Sequence, residues 1–115
     1  MPSPKEIPHD RPAPAIAAFF ATEASTEAAA LGACFAADAE VHDAAQDHRG
    51  RAAIIAWRLA TQAATPFATR VLDWHEEAGR ILVAAEVAGR FPNSPVRLRQ
   101  AFTLDRGLIA ALDIR

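Results

Sequence analysis

The stretch FATRVLDWHEEAGRILVAAEVAGRF, residues 67–91, decides the fold. It reads as two strands joined at Ala78 and Gly79, a small residue followed by glycine being suited to a tight antiparallel turn. The segment VRLRQAFTLDRGLIAALDIR, residues 96–115, repeats that layout around Asp105, Arg106 and Gly107, and PNSP, residues 92–95, turns the chain between the two pairs. Along residues 96–104 the pleat puts Val96, Leu98, Gln100, Phe102 and Leu104 on one face, and Arg97, Arg99, Ala101 and Thr103 on the other. Gln100 thus lies among apolar neighbours. A buried amide left unpaired costs roughly 1–3 kcal/mol, so this one calls for a hydrogen-bond partner or a ligand.

Upstream, the character of the chain changes. AIAAFFATEASTEAAALGACFAADAE, residues 15–40, is rich in helix formers, with apolar residues at Ile16, Phe19 and Phe20 and again at Leu31, Cys34 and Phe35. This predicts two helices, interrupted near EASTEA, with Ser25 or Thr26 capping the second. EVHDAA, residues 40–45, alternates as a short strand with Val41 and Asp43 on one face and Glu40 and His42 on the other. Beyond Gly50, RAAIIAWRLATQAA reads as a third helix with a stripe at Ile54, Trp57 and Leu59, stopped by Pro66. Helix, helix, short strand, helix and four antiparallel strands make an α+β fold with its helices gathered on one sheet face.

Composition narrows the function classes. At 115 residues, 51% apolar and 23% charged, the chain has room for one core and one domain. A formal charge of -2, with the basic residues scattered and a single lysine at Lys5, argues against a nucleic-acid binder. The only cysteine, Cys34, has no internal partner, which fits a reducing cytoplasm. MPSPKEIPHDRPAP has no apolar run, so it reads as neither a signal peptide nor a membrane span, and residues 1–13 are expected to be a flexible proline-rich lead-in.

AFFATEASTEAAALGACFAADAEVHD, the glycine of HRGRAAIIAW and the closing GRFPNSPVRLRQAFTLDRGLIAALDI together resemble the nuclear transport factor 2-like superfamily, in its SnoaL-like and ketosteroid isomerase-like branches. The resemblance covers nearly everything after the proline-rich start. It implies one α+β barrel domain over residues 14–115, in which a cone-shaped curved antiparallel sheet packs against three N-terminal helices around a pocket for a small hydrophobic, polyketide-like or steroid-like ligand. It also implies a homodimer through the outer sheet face, and no cofactor. These folds host isomerases, cyclases, dehydratases and epoxide hydrolases, so fold alone does not name a reaction.

In ketosteroid isomerases a carboxylate at the end of the first strand shuttles a proton between carbons, and Asp43 is similar in position. A carboxylate among apolar walls is poorly solvated, which favours taking up a proton from carbon. The tyrosine that supplies the family's strongest oxyanion donor is replaced at the matching place by Phe19, and the chain has no tyrosine. The second donor, a protonated acid on the third long strand, is replaced by Gln100. The expected site is therefore Asp43 as base, with Phe19, Trp57, Gln100, Phe102 and His48 around the ligand. A non-catalytic ligand-binding or dimeric interaction module of the same fold is the alternative.

Other candidates have plainer explanations. Asp47 and His48 read as the entry of the third helix, where a carboxylate meets free amides. His42 reads as a surface residue, and the four polar residues of this stretch lack the spacing of a metal site. Asp113 is a late-strand acid on a cyclase pattern, but it alternates with apolar neighbours that point the other way. An Asp-Arg-Asp arrangement through Arg99 with Asp73 or Glu86 is opposed by parity, since Arg99 points away from the Gln100 face. Trp74 reads as outer-face dimer surface together with Arg70 and Glu76, and Cys34 as an inert apolar residue.

Overall fold

The structure, a computed structural model, describes residues 13–23, 28–43 and 46–115. The proline-rich lead-in and the proposed caps Ser25 and Thr26 lie outside the described residues. Helices α1 (Pro14–Ala21) and α2 (Ala28–Gly32) lead into β1 (Phe35–Asp43) and β2 (Gln46–Arg49), followed by α3 (Arg51–Ala64) and the strands β3 (Phe67–Glu77), β4 (Arg80–Gly89), β5 (Val96–Asp105) and β6 (Leu108–Ile114). The six strands form one curved sheet in the order β2-β1-β6-β5-β4-β3. Its edges, β2 and β3, do not pair, so the sheet stays open and does not close into a barrel. Every neighbouring pair is antiparallel except β1 and β6, which run parallel.

Local chemistry accounts for the two hairpins. Glu77 pairs with Arg80 across Ala78 and Gly79, and Asp105 pairs with Leu108 across Arg106 and Gly107. All four turn residues have positive φ, the conformation that matches the twist of two-residue hairpins and that glycine adopts without strain.

The core sits between the helices and the concave sheet face. Phe19 of α1, Phe35 of β1 and Phe102 of β5 are fully buried, with Phe19 edge-on to both others at centroid distances of 5.6 and 5.9 Å. Ile16, Ile54, Val41, Ile109 and Leu112 belong to the same cluster. The strand β4 shows the period clearly, burying Ile81, Val83, Ala85 and Val87 on one face.

Three local expectations are corrected. The second helix ends at Gly32, and Phe35 opens β1, because the strand pairs with Ile109 of β6 rather than extending the helical stripe. Cys34 lies in the turn between them, buried, with its thiol pushed above the ordinary value by burial. Asp47 and His48 are not a helix entry: they belong to β2, which folds back on β1 with Val41 opposite His48 and His42 opposite Asp47. Third, β3 has a bulge between Val71 and Asp73 that inserts Leu72 into the ladder. One extra residue reverses the parity beyond it, so Trp74 faces Val83 and packs against the core, leaving Arg70 on the outer face.

Candidate functional site

The sheet register builds the site. Asp43, the last residue of β1, is paired with Ile114 of β6, and Ile114 is paired with Gln100 of β5. In-register residues share a face, so Asp43 and Gln100 project to the same concave side, two strand spacings or roughly 10 Å apart. Both line a cavity of about 330 Å3 between α3 and the sheet, walled by Leu98, Val87, Phe67 and Ile114.

Helix α3 supplies the opposite wall. Trp57, Arg58 and Thr61 follow one another at helical spacing and line the cavity, as does Thr65 just past the helix end. The Trp57 indole Nε1–H donates to Asp43 Oδ2 at 2.9 Å, fixing the carboxylate against the helix. His48 packs on that indole, with centroids 5.6 Å apart and planes at 33°, and its Nε2 is buried without a partner among the described residues. Gln62 holds the exit of α3 by accepting from the Phe67 amide at 3.0 Å and donating to the Phe67 carbonyl at 3.1 Å, which seats Phe67 at the rim.

Of the expected site residues, the structure brings Asp43, Trp57 and Gln100 to one cavity, while His48 packs on Trp57 without lining it. Phe19 and Phe102 do not line it: both are fully buried in the aromatic core beneath. Gln100 is 6% exposed, and its Oε1 has no partner among the described residues.

Two buried charged residues escaped the sequence reading. Arg58 is 4% exposed and Glu23 8%. The Arg58 guanidinium stands 3.6 Å from Glu23 Oε2 and lies over the rings of Phe19, Trp57 and Phe67 at 4.4, 5.1 and 5.5 Å. Glu23 also accepts the Thr69 amide at 2.5 Å and the Thr69 hydroxyl, tying the end of α1 to β3. Burial pushes the Arg58 guanidinium below its ordinary value, opposed by the negative charges of Glu23 and Asp43. The stripe through Ile54 and Trp57 contains position 58, which was the available signal. An arginine there is ordinarily a surface residue, and nothing in the local sequence announces Glu23 as its partner.

The outer sheet face carries charged side chains, among them Asp73, Arg80, Arg99 and Asp113 around a shallow recess. Asp113 pairs with Arg115 at 3.1 Å and shares the face of Ala101, away from the cavity. Arg70 pairs with Glu86 at 3.2 Å across β3 and β4, and Arg99 is exposed on the same side. At the edge, His42 Nδ1 lies 2.6 Å from Asp47 Oδ1 and Nε2 lies 3.5 Å from Glu40, which Arg49 also bonds. The bond with Asp47, helped by the charges of Asp47, Glu40 and Asp113, raises the His42 value above the ordinary one. A raised value means that His42 stabilises the β1–β2 hairpin fully below about pH 6.5 and that this contribution is lost as pH climbs through the folded-state value. An NMR titration is expected to show Asp47→Asn moving the His42 midpoint downward; an unmoved midpoint contradicts the pairing.

Among the described residues no group of three or more His, Cys, Asp and Glu side chains is placed to hold a metal ion, and no helix is long and apolar enough to cross a membrane.

Comparison with known proteins gives the same architecture. The family profile of the SnoaL-like domain matches residues 16–112. A Sinorhizobium meliloti protein assigned as a polyketide cyclase is 36% identical, with 92% of this chain and 96% of that one covered and a TM-score of 0.85. A Catenulispora acidiphila protein with a ketosteroid isomerase-like fold, solved with trimethylamine, is 20% identical over 89% of this chain and 84% of that one at a TM-score of 0.77. A Mycobacterium tuberculosis protein solved with estradiol-17β-hemisuccinate is 14% identical over 87% of this chain and 88% of that one, at 0.73. A search of curated proteins finds no match. The chain belongs to the SnoaL-like domain family, within the nuclear transport factor 2-like and ketosteroid isomerase-like folds.

Proposed function

We propose that this protein encloses a small, neutral hydrophobic molecule in the cavity between α3 and the sheet, and that Asp43 moves a proton on it in an isomerase-type or cyclase-type reaction. The observation that carries the reading is the register Asp43–Ile114–Gln100, which sets a carboxylate and an amide oxygen without a partner among the described residues on one apolar-walled cavity. A volume of about 330 Å3 is in the range of small-molecule sites, which are largely apolar with a few convergent polar groups. Asp43 acts as the base, Gln100 as the polar anchor, and Trp57 holds the carboxylate in place through its indole N–H. Support also comes from the Sinorhizobium meliloti polyketide cyclase assignment at 36% identity. Two lower-identity proteins of this fold, solved with trimethylamine and with estradiol-17β-hemisuccinate, also support a small-molecule reading.

Filling the cavity tests occupancy without touching the polar groups. Leu98→Trp is expected to weaken binding of 2-tetralone, a neutral bicyclic ketone, by at least about tenfold in calorimetry, because the added ring occupies the guest's space. Unchanged affinity in a folded Leu98→Trp variant places the guest elsewhere and contradicts the proposal.

A further inference from the structure

The Asp43 proton-transfer reading leaves open what receives the negative charge that appears on the ligand, since the chain has no tyrosine and Gln100 is a neutral amide. We infer that Arg58 is that group: its guanidinium holds the carbonyl oxygen of a neutral, ketone-class ligand and stabilises the enolate formed there when Asp43 takes the neighbouring proton. The inference rests on the proton-transfer reading and adds a ligand class and a residue to it.

Three observations carry it. Arg58 lines the same cavity as Asp43 and Gln100. It is 4% exposed, yet its Nε–H is buried with no acceptor among the described residues, although the guanidinium is already engaged by Glu23 and three aromatic rings. A buried donor in that condition carries a desolvation cost that a carbonyl oxygen relieves.

Charge balance then selects the ligand class. Glu23 already matches the charge of Arg58, and Asp43 adds one further negative charge, so the site as built opposes a guest that arrives as an anion. A neutral ketone with an acidic C–H meets no such opposition. When the C–H electron pair becomes the C=C bond and the carbonyl π pair moves onto oxygen, the proton goes to Asp43 and neutralises it. The negative charge has moved from Asp43 to the ligand oxygen, and the total is unchanged. Arg58 therefore interacts more strongly with the transition state than with the bound ketone, which is the condition for accelerating the step.

The test follows deuterium exchange at the methylenes of 2-tetralone by NMR, with tetralin as the oxygen-free binding control and 2-naphthoate as the anionic one. Because Arg58→Met alone strands Glu23, the double variant Arg58→Met with Glu23→Gln is compared with Glu23→Gln and with Arg58→Lys. Exchange is expected to fall on the order of a hundredfold in the double variant, with tetralin affinity held within about threefold and partial recovery in Arg58→Lys. Wild-type protein is expected to bind 2-naphthoate at least about tenfold more weakly than 2-tetralone. Wild-type exchange in the double variant, or tetralin affinity falling in step with exchange, overturns the role of Arg58; equal or tighter binding of 2-naphthoate overturns the ligand class. Slow exchange in Asp43→Asn beside an unaffected double variant defeats the Arg58 assignment alone. No exchange by the wild type, or undiminished exchange by Asp43→Asn, defeats the proton-transfer reading and the inference with it.

Discussion

Replacing Asp43 with asparagine is expected to slow exchange of the 2-tetralone methylene protons by a factor of about 10²–10⁴ while its affinity stays within about threefold. The substitution is nearly isosteric, and the asparagine oxygen still accepts from the Trp57 indole, which lies 2.9 Å from Asp43 Oδ2. Cavity shape and the apolar walls are thus retained, and only the capacity to take a proton is lost. In free energy the effect is about 3–5 kcal/mol on the barrier and little on the bound state. NMR exchange rates and calorimetric affinities separate the two. Loss of both together means that Asp43 holds the guest without moving its proton, and loss of neither means that it does not face the guest.

Glu23→Ala is expected to destabilise the protein by about 3–5 kcal/mol, because it leaves the buried Arg58 guanidinium without its carboxylate. That is a large part of the whole stability of an ordinary domain, about 5–15 kcal/mol. The same change removes the acceptor of the Thr69 amide, and with it the polar link between the end of α1 and β3. Glu23→Gln retains an acceptor for Thr69 and loses less. The double variant Glu23→Gln with Arg58→Met recovers much of the loss, since no buried charge remains unmatched. Denaturant midpoints at constant slope read the differences. A cost below about 1 kcal/mol for Glu23→Ala contradicts a desolvated pair and matches one that is effectively exposed.

The four long strands were legible because period-2 alternation and two hairpin turns are local signals that tertiary structure had no reason to override. The same alternation put Gln100 among apolar neighbours, and its 6% exposure follows from that pattern. Parity failed where the ladder itself is irregular: the bulge at Leu72 turns Trp74 inward, and no residue type marks it in advance. The short strand β2 was hidden for a different reason. Gln46, Asp47, His48 and Arg49 are polar and mostly exposed, so the strand is held by pairing with β1 and not by burial of a face. In the candidate site, Asp43 and Trp57 stood out as a polar strand end and an apolar helix position. Arg58 and Glu23 did not, because they stand 35 positions apart in the chain and their pairing depends on how α1, α3 and β3 meet.

Whether a guest sits against Asp43 and Trp57 is read from the two indole N–H resonances of the protein. Trp57 and Trp74 are the only tryptophans, and only Trp57 lines the cavity. On titration with 2-tetralone the Trp57 indole signal, assigned by Trp57→Phe, is predicted to shift saturably, because its donor bonds the carboxylate beside the guest, while the Trp74 signal stays in place. A stationary Trp57 signal at ligand saturation, or a shift confined to Trp74, means that the guest does not sit against Asp43.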